Sequence, residues 1–202
     1  HTIFSVSQDE TKQFLNGILL KIENGEIVFV STDGFRLALR TEKLSGPAPD
    51  SSIIVPFKTM NEIQKILQSS SASHDIEITI SVNQICFKSG DYVVISRLIQ
   101  GQFPAYNQVL PTTVGNEFSV DCRQLVSAAE RASIIAGHSN HVVKVSFEND
   151  ALELRASAPK MGEFKEGVSL TRSEGSDAHT IAFNVKLLLD ALKNIESDHC
   201  KI

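Results

Sequence analysis

The chain has 202 residues, of which 42% are hydrophobic, a formal net charge of −5 and three cysteines. That length suits one large domain or two of about 100 residues each, and no run approaches the roughly 18 consecutive apolar residues of a membrane span. The negative balance argues against nucleic acid on bulk charge alone, because phosphate binding is driven by cations, and leaves the placement of Lys and Arg to decide.

Cys86, Cys122 and Cys200 are far apart and odd in number. They have neither metal spacing nor the look of a disulfide framework. Reduced thiols and a cytosolic, cytoplasmic setting are expected. No secretory signal is visible, and His1 stands where an initiator Met is expected, which predicts a fragment or processed chain.

In chain order, Asn24-Gly25 lies between "LLKIE" and "EIVFV", the strongest short hairpin signal. Next comes "VSTDGFRLALR", residues 30–40. Asp33-Gly34 marks a turn, and Phe35, Leu37 and Leu39 then alternate with Arg36, Ala38 and Arg40. Either a half-buried strand resumes here or the segment rims a binding surface. Residues 56–68 form a predicted helix with Pro56 at its start and Met60, Ile63 and Leu67 on one stripe. Ile76, Ile78, Ile80 and Val82 alternate as a strand, and "QICFKS" and "YVVISRLI" read as two more. Pro111 and Gly115 break the pattern.

The later part opens with a predicted helix over 121–136, capped by Asp121, with Leu125, Ala128, Ala129, Ala132 and Ile135 on its apolar face. Val143, Val145 and Phe147 alternate as a strand ahead of an Asn149-Asp150 turn. A last helix starts at an Asn184 cap and places Leu188, Ala191, Leu192 and Ile195 inside.

These pieces repeat. Glu23 of the first hairpin aligns with Glu148 of the second, and Lys58 of the first helix with Lys186, at nearly one offset. The order hairpin, then helix, therefore points to duplicated domains, with an α+β fold split as 1–115 and 116–202. The second copy has a helix before its hairpin that the first lacks. The first continues into strands that the second does not reach before "HCKI". The expectation is a window cut from a longer protein.

The search for catalysis finds no nucleophile elbow, Walker loop, dinucleotide fingerprint or zincin motif. His138 and His141 in "GHSNH" supply half a zinc set with no cysteine pair nearby. No catalytic residue, metal or cofactor is expected. Binding chemistry does better. Lys58 and Lys65 share the helix face opposite the core stripe. Lys186 and Lys193 repeat that arrangement, and Arg123 and Arg131 lie on the polar side of their helix. One such face reads as solvated. Its recurrence in two copies suits neutralisation of duplex phosphates without base reading.

"LNG" (15–17), "STDGFRLA" (31–38), "IVPFKTMNEI" (54–63), "GQFPAYNQVLP" (101–111) and "FNVKLLLDAL" (183–192) occur in order and span nearly the whole chain. Together they resemble the bacterial sliding clamps, the beta subunits of DNA polymerase III. The resemblance implies tandem clamp domains, with antiparallel sheets outside and helices lining an inner face. The chain would be most of the middle domain and most of the third. It further implies a homodimeric ring around double-stranded DNA. The clamp would tether the polymerase III catalytic subunit, the clamp loader and other proteins bearing a clamp-binding peptide.

Carried over position by position, the implied peptide pocket is lined by Leu15, Thr32, Gly34, Phe35, Arg36, Leu37, Pro104, Gln108, Val109 and Leu187. Its far wall would come from a C-terminal tail beyond Ile202. Gln8 and Phe14 match the family's DNA-reaching loop; Lys58, Lys65 and Arg123 are added from helix geometry. Phe35 stands where family members often carry His, Gln108 where many have a basic residue, and Leu187 where some have an aromatic. A greasier, less cationic pocket is expected. Gly34 is expected to permit close backbone approach, and Arg36 to offer donors and a flat face to the peptide. The resulting reading is a non-enzymatic processivity factor. The alternatives are a small α+β hydrolase or ligand-binding domain, which needs a concave site with convergent titratable groups, and a peptide scaffold that never meets DNA.

Overall fold

The structure is a computed structural model that describes residues 1–69, 75–113, 117–148, 151–172 and 179–202, the side chains of Glu148 and Arg172 excepted. The expected turn at Asn149-Asp150 and the break at Gly115 lie outside the described residues. The chain divides into two compact units, His1–Val109 and Leu110–Ile202.

In the first unit, short 3-10 turns at Ile3–Ser5 and Gln13–Leu15 lead into β1 (Gly17–Glu23), β2 (Glu26–Thr32), β3 (Leu37–Lys43) and β4 (Ser51–Pro56). These strands form an antiparallel sheet in the order β3-β2-β1-β4. Asn24 (φ 55°) and Gly25 (φ 77°) make the predicted two-residue hairpin, whose left-handed positions match the twist of the flanking strands. Pro56 closes β4, and α1 (Phe57–Ser69) follows directly. Its Met60, Ile63 and Leu67 pack on Leu20, Ile22, Val55, Ile85 and Phe87. β5 (Glu77–Ile80), β6 (Gln84–Ser89) and β7 (Tyr92–Arg97) form a second sheet. A Thr59–Ser96 hydroxyl pair at 2.7 Å ties α1 to it.

In the second unit, β8 (Phe118–Asp121), α2 (Cys122–Ala136), β9 (Val142–Glu148), β10 (Ala151–Ala158), β11 (Gly162–Arg172), β12 (His179–Asn184), α3 (Val185–Leu192) and β13 (His199–Lys201) follow in order. The sheet runs β12-β9-β10-β11-β8-β13. Its segment β12-β9-β10-β11 repeats β4-β1-β2-β3 of the first unit, with a helix after the fourth strand in both. The Asp121 carboxylate accepts from Gln124 N at 2.9 Å and the Asn184 side chain from Lys186 N at 3.0 Å, the two caps read from sequence. Leu125, Ala128, Ala129 and Ala132 are buried against Val143, Val145, Leu152 and Leu154.

Several side chains depart from the sequence pattern. Phe35 does not enter a strand; β3 starts at Leu37, and Phe35 is 89% exposed. Within β3 it is Ala38 that is buried, while Leu39 is exposed, because β3 is an edge strand with little packed over its outer face. Val82 lies past the end of β5 and is fully open to solvent. Helix α3 stops at Leu192 and leaves Ile195 exposed. Among the described residues no helix is long and apolar enough to cross a membrane.

Candidate partner-binding surface

The turn between β2 and β3 is built by its own side chains. Thr32 Oγ1 accepts from Gly34 N at 3.1 Å and donates to the Arg36 carbonyl at 2.6 Å. Asp33 Oδ1 accepts from Phe35 N at 2.9 Å and Arg36 N at 3.0 Å. Such Asx and Thr bonds stand in for backbone turn bonds. Gly34 sits at φ +93°, and a Cβ there would meet nothing within 4 Å. The left-handed backbone by itself favours glycine at this position.

Arg36 is tied within the chain. Its Nε donates to Asp33 Oδ2 at 3.1 Å, its Nη2 donates to the Phe4 carbonyl at 2.8 Å, and its guanidinium carbon lies 5.4 Å from the Phe4 ring centroid. The guanidinium is turned into the chain, and the exposed aromatic at the tip is Phe35.

Leu15 is buried in a cluster with Leu19, Val30, Ile54 and Phe103, against which Leu37 and Tyr106 pack. Leu19, Ile54, Phe103 and Tyr106 also line an open groove of about 600 Å³, together with Pro104 and Gln108. Turn and groove thus share one apolar cluster, although Thr32, Gly34, Phe35 and Arg36 do not line the groove. Val109 is 70% exposed beyond it. Leu187 is half-buried on α3 in the other unit.

Asp33 and Phe4 were not singled out in the sequence beyond the turn signal. Asp33 was legible only as half of a turn dipeptide. Phe4 contributes a carbonyl and a ring face from a distant segment, for which no local pattern exists.

The residues expected to face DNA are all at the surface. Gln8 and Phe14 flank an exposed loop, where Asp9 Oδ1 accepts from Thr11 N at 3.0 Å and Thr11 Oγ1 at 2.7 Å. These bonds, the hydroxyl first, hold the Asp9 carboxyl below its ordinary range. Lys58 and Lys65 are exposed on α1. Lys65 Nζ reaches Glu62 at 2.7 Å and Arg123 Nη2 reaches Asp198 at 3.4 Å. Arg131 is held by Glu166, and Lys193 reaches Glu130 at 2.7 Å. His138 and His141 follow α2; among the described residues no three His, Cys, Asp or Glu side chains are grouped to hold a metal.

Comparison with known proteins agrees with this architecture. Residues 1–105 match the family model for the DNA polymerase III beta subunit, central domain, and residues 107–202 that for its C-terminal domain. The chain is 35% identical over all its 202 residues to the beta sliding clamp of Staphylococcus aureus strain Mu50, and 33% to that of Staphylococcus epidermidis; it covers 53% of each. The sliding clamp of Bacillus subtilis superposes with a TM-score of 0.91 at 31% identity, over 99% of this chain and 53% of that one. The Pseudomonas aeruginosa clamp bound to griselimycin does so at 0.89 and 29%, with the same coverage. The chain spans about half the length of the curated relatives it matches. Family models that together span nearly all of the chain, and the clamp fold of both units, place this chain in the DNA polymerase III beta subunit (sliding clamp) family.

Proposed function

We propose that the chain supplies the partner-binding and DNA-tracking parts of a sliding clamp, a non-catalytic protein that encircles duplex DNA and holds a polymerase on it. The observation that carries this reading is the turn at 32–36. It is fixed by its own Thr and Asp bonds and holds a large aromatic at 89% exposure beside an apolar cluster and an open groove. A solvent-exposed Phe on a structured turn suits anchoring of a partner far better than folding. Leu15 and Leu37 of the apolar cluster, Pro104 and Gln108 of the groove, and the exposed Val109 would take the apolar anchors of a short peptide. The same surface would take griselimycin, which the Pseudomonas relative binds.

Calorimetric titration of a peptide from the polymerase III catalytic subunit tests this. Saturable binding that competes with griselimycin and is lost in Phe35→Ala is the expected result. Binding unaffected by Phe35→Ala removes the turn from the site.

For DNA, the grip would be topological, with weak contacts independent of base sequence. The ion pairing of Lys65 and Arg123 supports that weakness, since each cation already faces a carboxylate. A ring that contains these two units should stay on nicked circular DNA and run off linear DNA. Equal retention on both forms is incompatible with encirclement.

A further inference from the structure

The Arg36–Asp33 pair is inside the turn, not at its rim: their side chains are 19% and 17% exposed. The contacts that hold Arg36 include Nε on Asp33, Nη2 on the Phe4 carbonyl, and one face toward the Phe4 ring. A guanidinium can satisfy all three because its donors diverge from a flat, rigid group. Asp33 closes the arrangement by accepting the Phe35 and Arg36 amides on its other oxygen.

A second tie lies one residue before the turn. The buried Ser31 hydroxyl bonds the Thr2 carbonyl and the Ser5 hydroxyl, and Ser5 Oγ also reaches the Ser31 carbonyl at 3.2 Å. The segment 2–5 therefore grips both the end of β2 and the tip that follows it. Without these ties, a turn with a glycine at positive φ and an unpacked aromatic would sample many states.

We propose that Arg36, Asp33 and Phe4 are positioning residues. They form a brace that sets the turn before a partner arrives, so that Phe35 is presented in its bound orientation. This rests on the reading of the turn as the partner surface. Its physical content is that a partner then need not order the tip itself. If only a fraction of molecules hold the competent turn, the apparent affinity falls by that fraction.

The brace and a direct role for Arg36 predict different outcomes. If Arg36 touched the partner with its charge, Arg36→Lys would retain much of the binding. Asp33→Asn would free the guanidinium and leave affinity equal or higher. If it is a brace, lysine cannot bond Asp33 and the Phe4 carbonyl together, and both variants weaken binding.

The experiment is calorimetric titration of griselimycin into the full-length protein that contains this chain and into its variants, with amide hydrogen exchange of residues 32–36 measured in parallel. Arg36→Lys and Asp33→Ala should each weaken binding roughly tenfold, the scale of one charge-assisted hydrogen bond. The double variant should be little worse than either single one, because both remove the same support. Exchange at Phe35 and Arg36 should quicken while the sheet's protection holds. Wild-type-like affinity in the variants, tighter binding by Asp33→Asn, or fully additive losses overturns the brace. Failure of the unaltered full-length protein to bind overturns the site reading instead. The exchange rates then decide the brace alone: quickening at Phe35 and Arg36 in Arg36→Lys, which leaves the Asp33 acceptor in place, upholds it and unchanged rates there reject it.

Discussion

Lys58 and Lys186 occupy the same place in the two units, each the second residue of the helix that follows the fourth strand of the repeat. Both are exposed, and among the described residues neither has a carboxylate within ion-pair distance, unlike Lys65, Arg123, Arg131 and Lys193. A cation with no local partner gives up nothing when it meets a phosphate.

Lys58→Ala and Lys186→Ala should therefore each lower the slope of log K against log salt on a duplex by about 0.9, one phosphate contact apiece. Lys65→Ala and Arg123→Ala should change it less, because their charges are already shared with Glu62 and Asp198. Anisotropy titrations at several salt concentrations measure the slopes. Equal effects from all four would show that local pairing does not select the contacts.

Gly17→Ala should destabilise the first unit by about 1–3 kcal/mol, the usual cost of overpacking. An added Cβ would lie 2.6 Å from the Val55 carbonyl oxygen and 2.8 Å from Ile54 Cγ2. Backbone cannot yield there as a flexible side chain would. Urea denaturation monitors the loss; a neutral result would mean that β1 and β4 can separate at little cost.

Asp121→Ala should cost the second unit about 1 kcal/mol, since the Gln124 amide loses its side-chain cap. The Asn184→Ala change should cost a similar amount. Thermal melts of the two variants and their combination give the values. The two sites cap different helices, so their effects should add.

The Cys200 thiol is pushed up to about 12, first by burial and then by hydrogen bonding and charge interaction with Cys122. It stays protonated near neutrality, and its reactive thiolate is scarce. Iodoacetamide at pH 8 should label the half-buried Cys86 first and spare Cys122 and Cys200 until the protein unfolds. The raised value also has a sign for stability. The folded state holds this proton more tightly than the unfolded chain. The contribution is complete below pH 9.0 and fades as pH rises from there toward 12. Early modification of Cys200 would contradict its burial.

Much of this protein was legible from local pattern. The Asn24-Gly25 hairpin, the caps at Asp121 and Asn184 and the Met60–Ile63–Leu67 stripe all rest on residues near one another in sequence. Backbone conformation and amphipathic period are set within a few residues, so a linear reading can reach them. The turn at 32–36 was legible as a turn, and its likeness to clamp proteins as a likeness.

Other features depended on what was packed above each residue, and that only the tertiary structure decided. Phe35, Leu37 and Leu39 alternate like a buried strand, yet Ala38 is the buried side chain of β3 and Phe35 stands free of the sheet. Arg36 also bonds the Phe4 carbonyl, 32 residues away in sequence, a partner that no local pattern announces. Alternation records which residues share a face. Which face is covered depends on contacts with distant segments, whose positions the chain acquires only by folding.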